Sequence, residues 1–217
     1  MAENIKVFYG NISEHDQSFW NSWKEMLPWE ERRTAADRFR AVPDKKRCIG
    51  AGILLYKVLN IYNITDFSLG QGKYGKPYLI NTPDLHFNIS HSGDYVLCAV
   101  GTSPVGVDVE QYDHGNPGIA KHFFTGKEYR WVMDLPDDRD CQDLRDSRER
   151  FIRLWTMKES YCKMKGLGLN LALSDFEILP DEGVYPAGIQ MAEFLLPGYH
   201  VSVCSEQETA SAMKRLF

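Results

Sequence analysis

Three carboxylates and a lysine stand at spacings that let them act on one ligand. In the run Val105-Gly106-Val107-Asp108-Val109-Glu110, a strand sends the valines to one face and Gly106, Asp108 and Glu110 to the other. Two carboxylates about 7 Å apart on one strand face can grip a hard cation. Mg²⁺ takes one or two carboxylates and completes its shell with water and substrate phosphate. A solvated strand face has the same pattern. The third carboxylate, Glu159, falls in a helical pattern whose Phe151, Ile152, Leu154, Trp155, Tyr161 and Cys162 sweep out one apolar arc. Lys158 and Glu159 lie inside that arc, where an ionised group needs a partner or a metal to offset its desolvation. Lys163 follows Glu159 by one turn, so an ordinary i,i+4 ion pair on a wet surface is the alternative.

Further segments add anion-binding potential. Gly75-Lys76-Pro77 places a cation in a tight loop, and Ser90-His91-Ser92 puts hydroxyls and an imidazole at the end of a buried strand. Between Lys24 and Arg47, basic residues (Lys24, Arg32, Arg33, Arg38, Arg40, Lys45, Lys46, Arg47) outnumber acidic ones (Glu25, Glu30, Glu31, Asp37, Asp44). The whole chain carries a net charge of −5, which argues against a general nucleic-acid binder. A basic island in an acidic chain points to a discrete anion site; a solvated helix face laced with i,i+4 pairs is the alternative.

The elements that must position these groups can be read in outline. Residues 4–9 alternate as a short strand. Ser18 to Arg40 and Asp44 to Tyr62 carry helical patterning, the second opening after Pro43. The glycines and prolines of 70–83 predict a loop with little regular structure. Leu85–Ser90 and Tyr95–Val100 form a hairpin about Ser92-Gly93-Asp94, and Val105–Glu110 is a further strand. Helical signals return at Ile119–Met133 and Arg150–Lys165, separated by a polar stretch from Asp134 to Glu149; Gly166 and Gly168 end the second helix. Short strands follow from Asp175 to Cys204. Helices then strands, twice over, predict an α+β fold of two similar halves, 1–103 and 104–217.

With 217 residues, 43% of them hydrophobic, the chain can bury one substantial core or two small ones with a shared interface. Its five cysteines (Cys48, Cys98, Cys141, Cys162, Cys204) are scattered, without zinc or redox spacing, and reduced thiols are expected. No cationic segment followed by a long apolar one opens the chain, and no run reaches the roughly 18 apolar residues of a membrane span. A cytoplasmic protein that binds neither membrane nor nucleic acid is expected.

The ordered set Gly75-Lys76-Pro77, Phe87-Asn88-Ile89-Ser90-His91-Ser92, Gly106-Val107-Asp108-Val109-Glu110, Phe123-Phe124 with Glu128, and Trp155-Thr156-Met157-Lys158-Glu159-Ser160-Tyr161-Cys162-Lys163 resembles the surfactin-synthetase-activating type of phosphopantetheinyl transferase. The W-T-x-K-E-S-x-x-K run is specific, and its joint occurrence with G-x-D-x-E makes coincidence improbable. The resemblance implies two α+β halves in a pseudo-twofold arrangement with the active site between them, coenzyme A held mainly by the first half, and a monomer. It implies that Asp108, Glu110 and Glu159 bind Mg²⁺ with the coenzyme A pyrophosphate, and that Lys163 and His91 contact phosphate oxygens. Lys76 and Ser90 would hold the nucleotide end, Arg32 and Arg47 would meet the 3′-phosphate, and Lys158 joins this binding set. Where the family often has another basic residue this chain has Ala35, so Arg33 or Arg38 would substitute.

The implied reaction moves the 4′-phosphopantetheine group of coenzyme A to a serine hydroxyl of an acyl- or peptidyl-carrier protein, releasing 3′,5′-ADP. Glu159, Lys163 and His91 are the implied catalytic residues, with Glu159 or a metal-bound water as general base. A Mg²⁺ phosphodiesterase built on the same carboxylates, and a coenzyme A binding module without catalysis, are the rival readings.

Overall fold

Apolar residues alternate with polar ones in the runs 86–92, 105–110 and 199–205, and that alternation decides which faces these strands bury. The computed structural model describes residues 5–133 and 144–217. The elements run β1 (Lys6–Asn11), α1 (Gln17–Met26), α2 (Glu30–Arg38), α3 (Val42–Ile61), β2 (Leu69–Gln71), β3 (Pro77–Leu79), β4 (His86–Ser92), β5 (Tyr95–Gly101) and β6 (Val105–Gln111). They continue with α4 (Ala120–Phe123), α5 (Gly126–Met133), α6 (Leu144–Lys165), β7 (Gln190–Leu196), β8 (Tyr199–Ser205) and β9 (Met213–Arg215). The fold is mixed α+β.

A four-stranded sheet of order β4-β5-β1-β9 and a three-stranded sheet of order β6-β8-β7 form the frame. One face of the larger sheet presents Phe8, Phe87, Val96, Cys98 and Val100 to Ile49, Ile53, Leu54 and Val58 of α3. Its other face, with Val7, Leu97 and Ala99, packs on Val105, Val107, Val109, Val201 and Val203 of the smaller sheet. The valines of β6 are therefore sandwiched between sheets. Gly106, Asp108 and Glu110 are left facing α6, as strand alternation requires.

Helix α6 lies almost in contact with β6. A Cβ placed on Gly106 would stand 1.9 Å from the Ser160 carbonyl oxygen and 2.4 Å from the Met164 nitrogen. Only glycine admits the helix backbone at that distance. At the C-terminal end, Gly166 takes φ +67° and its N–H returns to the Cys162 carbonyl, the left-handed stop that the sequence predicts.

Several boundaries differ from the sequence reading. Pro28 splits the expected 18–40 helix into α1 and α2, with Leu27 and Trp29 extended on either side, because a proline forces its predecessor out of the helical region. Pro43 lies inside the first turn of α3, where its missing N–H costs nothing. The expected loop 70–83 contains the small hairpin β2–β3. The expected helix 119–133 breaks at Phe124; Thr125 and Glu128 then open α5 by exchanging backbone and side-chain hydrogen bonds of 2.7 and 3.3 Å, a capping box. Helix α6 begins at Leu144, six residues before the periodicity becomes regular, while residues 134–143, which hold Cys141 and most of the polar stretch, lie outside the described residues.

The tail adds a strand that the sequence reading lacked. β9 pairs in parallel with β1 through Val7–Met213 and Tyr9–Arg215, so residues 213–215 of the expected second half complete the sheet of the first. Among the described residues the cysteines are free, and no helix is long and apolar enough to cross a membrane.

Candidate active site

The site forms along the seam where β4 runs beside β6, joined by side chains. Asn88 Oδ1 accepts from the Val107 N–H at 2.8 Å. Two residues on, the Ser90 hydroxyl donates to Asp108 Oδ1 at 2.8 Å, and the Ser92 hydroxyl donates to Glu110 Oε2 at 2.8 Å. Strand alternation explains the order: Phe87 and Ile89 pack toward the helical core, so Asn88, Ser90 and Ser92 face the seam.

Lys163 of α6 closes the cluster from above. Its ammonium donates to Asp108 Oδ1 at 2.5 Å and to Ser90 Oγ at 3.0 Å. The local i,i+4 pair with Glu159 is thus not what holds Lys163. Asp108 is 3% exposed, and its second oxygen, Oδ2, is buried without a hydrogen-bond partner. An orphaned carboxylate oxygen in that setting marks a place for a cation or a donor that a ligand brings.

Glu110 and Glu159 are half-buried beside it. Burial first, and then the Asp108 charge, push both carboxyls above their ordinary range, with Lys163 pulling each the other way. Among the described residues no group of three or more His, Cys, Asp and Glu stands close enough to hold a metal as they are: the Lys163 ammonium covers one oxygen of Asp108, and Glu110 is turned onto Ser92. The donor chemistry nevertheless fits a hard cation, with carboxylate oxygens only, one of them unpartnered, and mutual repulsion that a divalent charge would relieve.

The predicted phosphate ligands gather at the neighbouring end of the seam. His91 stands at its edge; desolvation by the surrounding chain first, then the nearby cations of Arg47, Lys163 and Arg32, hold its imidazole below the ordinary range. Arg47 donates to the Gly93 carbonyl at 3.0 Å and pairs with Asp44. Arg32 donates to the Cys48 carbonyl at 3.1 Å and crosses α3 at Gly52, where a Cβ would meet its Cδ at 2.6 Å. Of the substitutes for Ala35, Arg33 is turned to the Leu27 carbonyl and Arg38 is exposed at the end of α2.

Two predicted residues stand elsewhere. Lys158, expected to bind the cofactor, is 0% exposed and faces the opposite side of α6. It pairs with the equally buried Glu128 at 2.6 Å and donates to the Leu173 and Phe176 carbonyls at 2.6 and 2.7 Å. Glu128 also accepts from the Ile178 N–H at 2.7 Å. The charge inside the apolar arc is thus explained by a buried ion pair rather than by a ligand. Lys76 donates to the Val105 and Met164 carbonyls at 2.9 and 3.1 Å, pinning its loop to the start of β6 and the end of α6, with burial lowering its pKa to about 8.

Trp155 stands between two cavities that reach the carboxylates. One, of about 310 Å³, is lined by His122, Phe123, Trp155, Glu159 and Leu171; the other, of about 170 Å³, by Glu110, His114, Ile119 and Trp155. A third, of about 500 Å³, lies beyond Tyr112 against Arg153, Glu193 and His200 and touches none of the predicted site residues. The sequence reading missed the roles of Asn88, Ser92 and Gly106 in this architecture, although their places on the seam-facing strand positions carried the signal.

Comparison with known proteins decides the family. Residues 104–212 match the model of the 4′-phosphopantetheinyl transferase superfamily, and residues 14–103 match that of the 4′-phosphopantetheinyl transferase N-terminal region. The chain belongs to the 4′-phosphopantetheinyl transferase superfamily. It is 35% identical over 189 residues to the Bacillus subtilis (strain 168) 4′-phosphopantetheinyl transferase Sfp, covering 81% of this chain and 80% of that one. A second Bacillus subtilis 4′-phosphopantetheinyl transferase is 38% identical over 157 residues, 70% of this chain and 67% of that one. The Aneurinibacillus migulanus 4′-phosphopantetheinyl transferase gsp is 33% identical over 189 residues, 81% and 75% of the two chains. Membership in this transferase family removes the ground for the phosphodiesterase and for the binding module without catalysis.

Proposed function

We infer that this chain transfers the 4′-phosphopantetheine group of coenzyme A to a serine hydroxyl of an acyl- or peptidyl-carrier protein, with Mg²⁺ and with release of 3′,5′-ADP. The observation that carries the reading at residue level is Asp108, buried between Ser90 and Lys163 with one oxygen left over. Asp108, Glu110 and Glu159 would hold Mg²⁺, which supplies charge neutralisation of the pyrophosphate.

Phosphoryl transfer is governed by positioning and charge compensation. Lys163, 28% exposed at the side chain, reaches from Asp108 toward the open end of the seam, where it can meet a phosphate oxygen. His91, Arg47 and Arg32 supply the positive field for the remaining phosphates. Glu159, its carboxyl raised chiefly by burial, is the side chain suited to take the serine proton; ligation of a cation opposes that role, and a water at the site is the other route. The same reading includes a monomeric, cytoplasmic enzyme whose two halves, 1–103 and 104–217, are related by a pseudo-twofold axis. Incubating the protein with coenzyme A, Mg²⁺ and an unmodified carrier, then weighing the carrier, tests the assignment: one added phosphopantetheine group supports it, and an unchanged mass overturns it.

If Arg32 and Arg47 meet the 3′-phosphate, Arg47→Ala weakens coenzyme A by about 1.5–3 kcal/mol and leaves dephospho-coenzyme A almost unaffected, because only the former carries that group. Calorimetric titration with both ligands checks this. Equal losses assign Arg47 to the Gly93 turn alone.

The carrier is proposed to dock on the segment between Glu110 and Glu128. Phe124 is core, at 5% exposure, while Phe123 is 41% exposed and Lys121 and His122 are exposed beside it. Tyr112→Ala, Ile119→Asp and Lys121→Glu together raise KM for the carrier with coenzyme A affinity nearly unchanged, and the charge reversal loses its effect at high salt. Steady-state kinetics at two ionic strengths reads this out.

A further inference from the structure

Helix α6 is tied to the sheet behind it by a closed ring of polar contacts that no part of the proposed chemistry uses. Arg153 grips Glu193 of β7 through Nε to Oε2 at 2.6 Å and Nη2 to Oε1 at 2.9 Å. Glu193 Oε2 lies 3.0 Å from His200 Nε2 on β8. His200 Nδ1 lies 2.8 Å from the Thr156 hydroxyl, and Thr156 lies one helical turn after Arg153. Ser202 adds a contact of 3.0 Å to the same hydroxyl. Outside the ring, Arg153 is braced by Asp181 at 2.9 Å, and Asp181 accepts from Trp131 Nε1 at 2.9 Å.

The proton inventory is fixed by the carboxylate. Against the opposing effect of burial, Arg153 and His200 hold Glu193 down at about 2, so it is ionised and only accepts. Nε2 of His200 therefore carries a hydrogen toward Glu193, while the Thr156 hydroxyl also donates to the Arg153 carbonyl at 3.0 Å and meets His200 Nδ1 and Ser202 through the same oxygen. Thr156 and Ser202 are 0% exposed, so neither has bulk water as a substitute partner, while His200, 3% exposed, borders the cavity of about 500 Å³.

The ring lies next to the carboxylates by strand register. His200 is opposite Glu110 and Ser202 opposite Asp108 on the β6–β8 ladder, all on the face toward α6. Thr156 is one turn before Glu159, and Gly106 touches the α6 backbone just after it, at Ser160 and Met164. Two points fix the helix on the sheet: close backbone contact on the far side of Glu159 and the polar ring on the near side. Between them they set the height and rotation of Glu159 and Lys163 above Asp108.

We propose that Arg153, Thr156, Glu193 and His200 are positioning residues, a clasp that holds Glu159 and Lys163 in register with the β6 carboxylates. This rests on the reading of those groups as the cation and pyrophosphate site. It also assigns a task to the threonine of the W-T-x-K-E run, which is 0% exposed.

The test compares Thr156→Val, which keeps the shape and removes the hydroxyl, with Thr156→Ser, which keeps the hydroxyl. Carrier modification is followed by mass, and Mn²⁺ and coenzyme A binding by calorimetry. A misplacement near 1 Å costs up to about 100-fold in rate, so Thr156→Val is expected to lower kcat at least about tenfold and to weaken Mn²⁺ comparably. Coenzyme A affinity without metal stays within about twofold, because the phosphate ligands on α2, α3 and β4 are untouched, while the gain that the metal gives to coenzyme A falls with the metal affinity. Thr156→Ser restores most of the rate and the Mn²⁺ affinity. A Thr156→Val protein that melts lower but keeps kcat and Mn²⁺ affinity overturns the proposal, since the ring then only stabilises. Should Thr156→Val fail to fold, Glu193→Gln, which breaks the ring at its other end, is judged by the same readouts. A wild-type protein that transfers without binding Mn²⁺ or Mg²⁺ sinks the cation reading instead, and the clasp is then decided by kcat alone.

Discussion

Asp108→Ala and Glu159→Ala, made separately, each lower carrier modification at least about a thousandfold, since on the proposed reading each removes a metal ligand whose electrostatic contribution is several kcal/mol and each 1.36 kcal/mol is a factor of ten. The two variants part company in stability. Glu159 is pushed up by burial and by the neighbouring carboxylates. With an unfolded value near that of a free side chain, the ionised group at neutral pH costs stability, and this cost vanishes as pH falls through the folded pKa. Glu159→Ala without metal therefore melts at the wild-type temperature or above it. Asp108 also accepts from Lys163 and Ser90, so Asp108→Ala leaves two donors unpaired and melts lower. Differential scanning calorimetry beside the mass assay separates the effects; near wild-type transfer by either variant in Mg²⁺ removes the carboxylate site.

Gly106→Ala is expected to unseat α6. The added methyl would stand 1.9 Å from the Ser160 carbonyl oxygen and 2.4 Å from the Met164 nitrogen, and both are helix backbone atoms that no rotamer change can move aside. Overpacking of this kind costs about 3 kcal/mol or more, a fall in Tm of roughly 6–12 °C for a chain of this size. Because Glu159 and Lys163 ride on the displaced helix, transfer falls further than the stability loss predicts, which kinetics well below the melting range can read. An Ala variant with wild-type Tm and rate shows that the helix has room to move.

The site was legible where backbone periodicity alone places a side chain. Alternation in β6 put Gly106, Asp108 and Glu110 on one face, and the structure turns that face to α6. Helical spacing put Glu159 and Lys163 on one side of α6 but could not say which neighbour each meets. Lys163 found Asp108, a contact between distant segments that no local pattern contains. The partner of Lys158 was out of reach for the same reason. A lysine in an apolar arc needs a partner, and the partner, Glu128, comes from a capping box on another helix. The strand β9 was invisible because three residues of edge strand carry no period, and its partner β1 lies at the other end of the chain. The clasp was half visible: in Tyr199–Ser205 the polar His200 and Ser202 alternate with Tyr199, Val201 and Val203, a signature of one face packed against something polar.

The central claim is that Asp108, Glu110 and Glu159 with Lys163 hold the metal-bound pyrophosphate of coenzyme A. Its most direct measurement is the calorimetric affinity for coenzyme A with and without Mg²⁺, in the wild type and in Glu159→Gln. The account predicts that Mg²⁺ tightens coenzyme A by about tenfold or more in the wild type, within the usual range for coupling between two ligands, and that the gain is lost in Glu159→Gln. An affinity indifferent to Mg²⁺ in the wild type, or an equal gain in the variant, contradicts it.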